Sequence, residues 1–98
     1  MTNLIAKSVV YYSKLDEEAF FDWIGRISCI VDIKGVSTEL IMKVDQDRVN
    51  DVELRELLAL FFRYSIDMRQ LLIFENSRNT EWFSKSGMYW HDLVFGSP

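Results

Sequence analysis

From Leu4 to Tyr12 the chain is rich in Val and Tyr, with apolar residues at both odd and even positions. That pattern predicts a central strand covered on both faces and stopped at Ser13. Leu15, Ala19, Phe20, Trp23, Ile24 and Ile27 then recur at helical spacing, predicting a helix from about Leu15 to Ile27 with acids in its first turn. Phe21 breaks the stripe. At about 100° per residue it falls among Glu17, Glu18 and Gly25 on the opposite side, so it is expected to be an exposed aromatic in an acidic setting unless the C-terminal segment covers it. Next, Cys29, Val31 and Ile33 alternate with Asp32 and Lys34, Gly35 to Ser37 supplies a turn, and Leu40, Met42 and Val44 alternate with Glu39 and Lys43. This predicts a hairpin with one buried face.

Asn50 is a good N-cap for a second helix, with Glu53 at the capping-box position. Leu54, Leu57, Leu58, Phe61 and Tyr64 form its apolar face, Glu56, Ala59 and Arg63 its polar side, and Asp51 and Arg55 a favourable i,i+4 pair. Met68 to Phe74 fits either a fourth strand with Leu71 and Ile73 inward or a short helix capped by Asp67, and the strand is the preferred reading. The expected fold is therefore α+β in a single domain spanning 1–98: an antiparallel sheet with two helices on one face, split βαβ-like, in the order β-α-β-β-α-β. Asn79 to Phe95 carries Trp82 and Trp90 without sustained periodicity. Such an aromatic tail is expected to fold back as short turns that close the domain, or else to present a surface to a partner.

The 98 residues are 49% hydrophobic and 14% aromatic, which excludes a disordered chain, and their longest apolar runs fall far short of a bilayer span. The only proline is Pro98. One cysteine excludes an intramolecular disulfide, and Met1 to Lys7 shows no export signal, so the expected location is a reducing cytoplasm.

The net charge of −4 is the wrong sign for gripping a phosphate backbone and suits a basic protein partner, so neither nucleic acid nor membrane is expected as a ligand. Its distribution is uneven. Asp16, Glu17, Glu18 and Asp22 oppose Lys14 alone, net −3 over residues 14–22; Asp45, Asp47, Asp51, Glu53 and Glu56 oppose Arg48 and Arg55, net −3 over residues 45–56. Solvated helix and loop faces would account for the same charges.

No cofactor, metal or catalytic set is expected. His91 and Cys29 are the only histidine and cysteine, no two ligands have metal-binding spacing, and a Cys29–His91 pair would join a buried strand residue to the aromatic tail. Acids in a helix's first turn ordinarily serve the dipole, and Gly35 and Gly25 belong to no phosphate loop.

The segments Tyr11–Lys14, Asp16–Trp23 and Leu54–Tyr64, with Trp82-Phe83, Tyr89-Trp90-His91 and Val94-Phe95, resemble small bacterial immunity proteins encoded beside polymorphic or contact-dependent growth inhibition toxins. The resemblance covers most of the chain. It implies a non-enzymatic cytoplasmic protein that binds and blocks a cognate toxin domain, often a nuclease, one to one, and it assigns no binding residues. The residue pattern suggests the interface: Glu17, Glu18, Phe21 and Asp22 on the first helix, with Asp45, Asp47 and Asp51 beside it. Phe21 would be the desolvated anchor and Tyr12 a weaker one. A small regulatory or ligand-binding α+β domain, dimeric or not, is the competing reading; the sequence leaves the oligomeric state open.

Overall fold

A computed structural model describes residues 1–96; Ser97 and Pro98 lie outside the described residues. Three strands form, β1 (Thr2–Lys7), β2 (Ile30–Val36) and β3 (Glu39–Val44), in the order β1-β3-β2 with both outer strands antiparallel to β3. Leu4 and Ile33 both lie opposite Met42, which sets the core-facing row, and Leu4, Ala6, Met42 and Val44 are buried there.

β1 is an edge strand, not the central one its composition suggested. Its mixed parity comes from Ile5, which sits opposite Ile41 on the outer face as a half-buried cross-strand pair. The strand stops at Lys7 because Ser8 turns the chain at φ 49°, and Val9 and Tyr11 then pack on the core from a loop. β2 also departs from simple alternation. A register shift between Ile30 and Asp32 makes Val31 an extra residue, so Val31 and Ile33 do not share one buried face; they are 40% and 39% exposed. Gly35 belongs to the strand, and the turn comes at Ser37, with φ 57°.

α1 (Lys14–Arg26) starts at Ser13, whose hydroxyl accepts the Asp16 N–H at 3.1 Å. Its buried line is Phe20 and Ile24, continued by Ile27, while Leu15 and Ala19, expected in the core, face outward. Asp16 explains the rotation. Its carboxylate accepts the Tyr64 hydroxyl at 3.0 Å and the Tyr12 N–H at 2.9 Å, holding that side of the helix inward.

A single 3-10 turn (Gln46–Arg48) leads into α2 (Asp51–Arg63), where the Asn50 side chain accepts the Glu53 N–H at 2.9 Å. α2 buries Leu54, Leu57, Leu58, Leu60 and Phe61. It ends in a Schellman arrangement: Ser65 has φ 57°, Ile66 N–H donates to Phe61 C=O at 2.9 Å, and Ser65 N–H to Phe62 C=O at 3.4 Å. The Asp51–Arg55 ion pair is not formed among the described residues; the Arg55 guanidinium lies over the Trp82 ring at 4.0 Å.

The expected fourth strand is a 3-10 helix, Met68–Phe74, capped by the Asp67 side chain. Met68, Leu71 and Phe74 are buried at a spacing of three, the period of that helix, and Ile73 points out. The tail contributes α3 (Thr80–Phe83) and α4 (His91–Phe95). Phe83, Trp90 and Val94 are buried in the core, and the Trp90 indole donates to Phe83 C=O at 2.7 Å. Buried Asn79 ties the preceding loop to Phe74 C=O at 2.8 Å. The result is an α+β domain whose helices pack on a three-stranded antiparallel sheet. No helix among the described residues is long and apolar enough to cross a membrane.

Candidate functional site

α1 and α2 run antiparallel, and side-chain bonds show it along their length. Glu53 reaches the Ser28 hydroxyl and the Cys29 N–H beyond the end of α1, the Trp23 indole donates to Glu56 at 3.0 Å, and Tyr64 meets Asp16 near its start. Between the two helices lies a crevice of about 620 Å³ lined by Ala19, Asp22, Trp23, Arg26, Val52 and Glu56. Its floor is apolar. Asp22 and Glu56 line it together with Trp23 and Arg26, and the Glu56 carboxylate accepts the Trp23 indole N–H, so the acids outnumber the one arginine at the rim of an apolar pocket that could take the stem of a long side chain.

The other flank of α1 carries a cleft of about 460 Å³ in which Glu17 and Phe21 meet Tyr11, Leu40 and Glu39. Phe21 is 38% exposed and packs against Phe20 with ring centroids 5.2 Å apart and Tyr11 at 6.3 Å. The aromatic tail does not cover it: Trp82 and Trp90 stack on each other, Phe83 and Tyr89.

The expected interface residues therefore divide. Glu17 and Phe21 share one cleft, Asp22 opens onto the crevice behind, and exposed Glu18 lines neither. Asp45, Asp47 and Asp51 lie at the opposite end of α1, a 13-residue helix about 20 Å long. Asp45 is half-buried and occupied: it accepts the Asp47 N–H at 3.1 Å and pairs with Arg48 at 3.5 Å, while Arg48 also reaches Ser28 C=O. Asp47 and Asp51 are exposed. The acids are therefore distributed over more than one face of the helix pair rather than gathered in one patch, with Asp22 and Glu56 the two that share a crevice.

The sequence pattern places Glu56 on the polar side of α2 and in the second acidic stretch but not at the site, because only the antiparallel packing brings it to Trp23. Tyr12 and Leu15, 91% and 74% exposed beside the acids at the start of α1, are the most open large apolar side chains near them; Leu15 carried the periodicity of a core residue.

Glu53 was expected to reach back to its own cap. Its carboxylate crosses to the segment just before β2 instead, accepting the Cys29 N–H at 2.6 Å and the Ser28 hydroxyl at 2.8 Å. Burial, and then the Glu53 charge beside it, push the Cys29 thiol up to about 12, so it stays protonated at ordinary pH. His91 lies elsewhere, its Nδ1 at 3.2 Å from Asp92 and its ring tilted on Phe95. Among the described residues no group of three His, Cys, Asp or Glu side chains could hold a metal ion. Comparison with protein-family models, with curated proteins and with solved structures finds no match.

Proposed function

We propose that this chain is an immunity protein of a contact-dependent growth inhibition or related polymorphic toxin system, which binds a basic cognate toxin domain, a nuclease, and occludes it. The observation that carries the reading is the α1–α2 crevice. There Asp22 and Glu56 line an apolar pocket with Trp23, outnumbering Arg26, and Glu56 accepts the Trp23 indole N–H. A nuclease domain is basic where it holds nucleic acid, so an acidic crevice that accepts lysine or arginine side chains competes for that surface and accelerates capture. Tyr12, Leu15 and Phe21 supply the apolar contact that charges alone do not. In this reading the β1-α1-β2 unit, with β3 between its strands, is the first half of a split βαβ arrangement. The aromatic tail is then the piece that closes the domain over α2. The protein acts in the cytoplasm, where the toxin arrives.

The test is reconstitution with the product of the adjacent gene. The purified chain should form a one-to-one complex with the C-terminal domain encoded there and stop its nucleic-acid cleavage. An adjacent gene with no basic C-terminal domain, or cleavage that continues at saturating protein, would overturn the reading. A small-ligand domain is the second reading, and it draws on a groove of about 590 Å³ lined by Phe62, Ile66, Met68, Arg69 and Leu93.

A further inference from the structure

The two outer strands of the sheet treat their free edges differently. On β1 the edge is occupied: the Gln70 side-chain amide accepts the Ile5 N–H at 2.7 Å and donates to Ile5 C=O at 2.9 Å, as a neighbouring strand would. β2 has no such cover. It pairs with β3 alone, and among the described residues no backbone group of residues 31–36 bonds outside the hairpin. Val31, Ile33 and Val36 are exposed along it. An open edge of this kind is a template for another strand unless something blunts it.

Charged side chains ordinarily do the blunting, by repelling an incoming copy. Here they have the opposite effect. Asp32 and Lys34 carry opposite signs, share the outer face, and stand symmetrically on either side of Ile33. If β2 meets itself antiparallel about a two-fold axis at Ile33, each Asp32 lies opposite the other copy's Lys34, and Ile33 lies opposite Ile33. Moving the axis to Asp32 sets Asp32 against Asp32, and moving it to Lys34 sets Lys34 against Lys34. Those registers are penalised by like charges directly opposed, so the sequence selects one register among the three.

We propose that β2 pairs antiparallel with β2 of a second copy, centred on Ile33, joining two three-stranded sheets into one continuous six-stranded sheet with the helices of both copies on the same face. The dimer rests on this edge alone and is independent of the toxin reading. The bulge at Val31 limits the matched segment to the residues around Ile33, so the association is concentration-dependent rather than obligate.

Sedimentation equilibrium over a hundredfold range of concentration, up to the solubility limit, tests it. Wild-type protein should show a monomer–dimer equilibrium. Asp32→Lys and Lys34→Asp should each weaken it by roughly tenfold or more, because each substitution acts twice across the two-fold axis. An equimolar mixture of the two variants should restore dimers, since a strand with two positive charges then faces one with two negative charges. The Asp32→Lys/Lys34→Asp double variant should dimerise like wild type. Circular dichroism controls for folding, and the mixture is informative even if Asp32→Lys, which stands opposite Lys43, loses some stability. A wild type that stays monomeric throughout, a dimer indifferent to both reversals, or variants that fail to rescue each other would each overturn the proposal.

Discussion

The Oε1 oxygen of Glu53 sits 2.6 Å from the backbone nitrogen of Cys29, so a carboxylate from the first turn of α2 secures the entry to β2. The same oxygen accepts the Ser28 hydroxyl, and the side chain is buried. Charge-assisted bonds of this kind contribute more than neutral ones, and removing the acceptor strands a buried backbone N–H. Glu53→Ala should therefore lower stability by about 3 kcal/mol in urea unfolding, and Glu53→Gln, which keeps an acceptor, by less. Equal losses in the two variants would mean that the contact is packing alone.

The Cys29 thiol makes stability fall in alkali. Its folded pKa is raised from 9.0 to about 12, by burial first and by Glu53 second. Above pH 9 the unfolded chain releases this proton while the native chain keeps it, so the native state binds more protons and loses stability as pH rises from 9 toward 12. The slope approaches about 1.4 kcal/mol per pH unit. Tyr11, Tyr64 and Tyr89 are raised in the same direction, chiefly by burial, and add to the loss at higher pH. Comparison with Cys29→Ala isolates the thiol: the stability gap between wild type and variant should narrow steadily over that window. Parallel curves would show that the thiol ionises alike in both states.

Gln70 does the work of a strand on the β1 edge. Gln70→Ala removes both bonds to Ile5 and should cost about 1–3 kcal/mol. Amide exchange should locate the effect, with the Ile5 N–H losing protection while the Met42 and Val44 amides change only as far as global stability requires. Unchanged Ile5 exchange would mean that the edge is protected by something other than this side chain.

Ser65 occupies the left-handed position after α2 that glycine fills best. Ser65→Gly should raise stability by up to about 1 kcal/mol, and Ser65→Val should lower it by at least as much, because a branched side chain tolerates φ 57° poorly. Thermal melts of the two variants should move in opposite directions.

How much of this was legible in the sequence depended on whether local pattern or long-range packing decided each residue. Leu54, Leu57, Leu58 and Phe61 were readable because a helix stripe is a local property, and the structure buries all four. Met68, Leu71 and Phe74 also held their answer, but a spacing of three over seven residues is easily taken for a strand. Leu15 misled because the Asp16 bonds to Tyr64 and Tyr12, the first reaching 48 positions away, turn the helix. Glu53 satisfies the capping-box pattern and yet serves Cys29, since a buried donor from another element outcompetes the local one. On the surface, Glu17 and Phe21 were read together and do share a cleft. The partnership of Asp22 with Glu56 exists only through the antiparallel packing of α1 and α2.

Charge and apolar contact should separate kinetically in the proposed toxin complex. Glu17, Glu18, Asp22 and Glu56 act at a distance, so reversing them should slow association steeply at low salt and much less at physiological salt, where the screening length is about 8 Å. Phe21 acts only on contact. It already rests on Phe20 and Tyr11, so Phe21→Ala leaves a shallow surface gap rather than a core cavity and should keep the fold. Its loss should speed dissociation, at a cost of about 2 kcal/mol, if it is the anchor. Tyr12→Ala and Leu15→Ala provide the contrast, because both side chains are more exposed than Phe21 and contribute less to the free fold. Surface-immobilised kinetics on these variants locates the anchor. A fast dissociation rate in Tyr12→Ala or Leu15→Ala with an unchanged one in Phe21→Ala would put it at the start of α1.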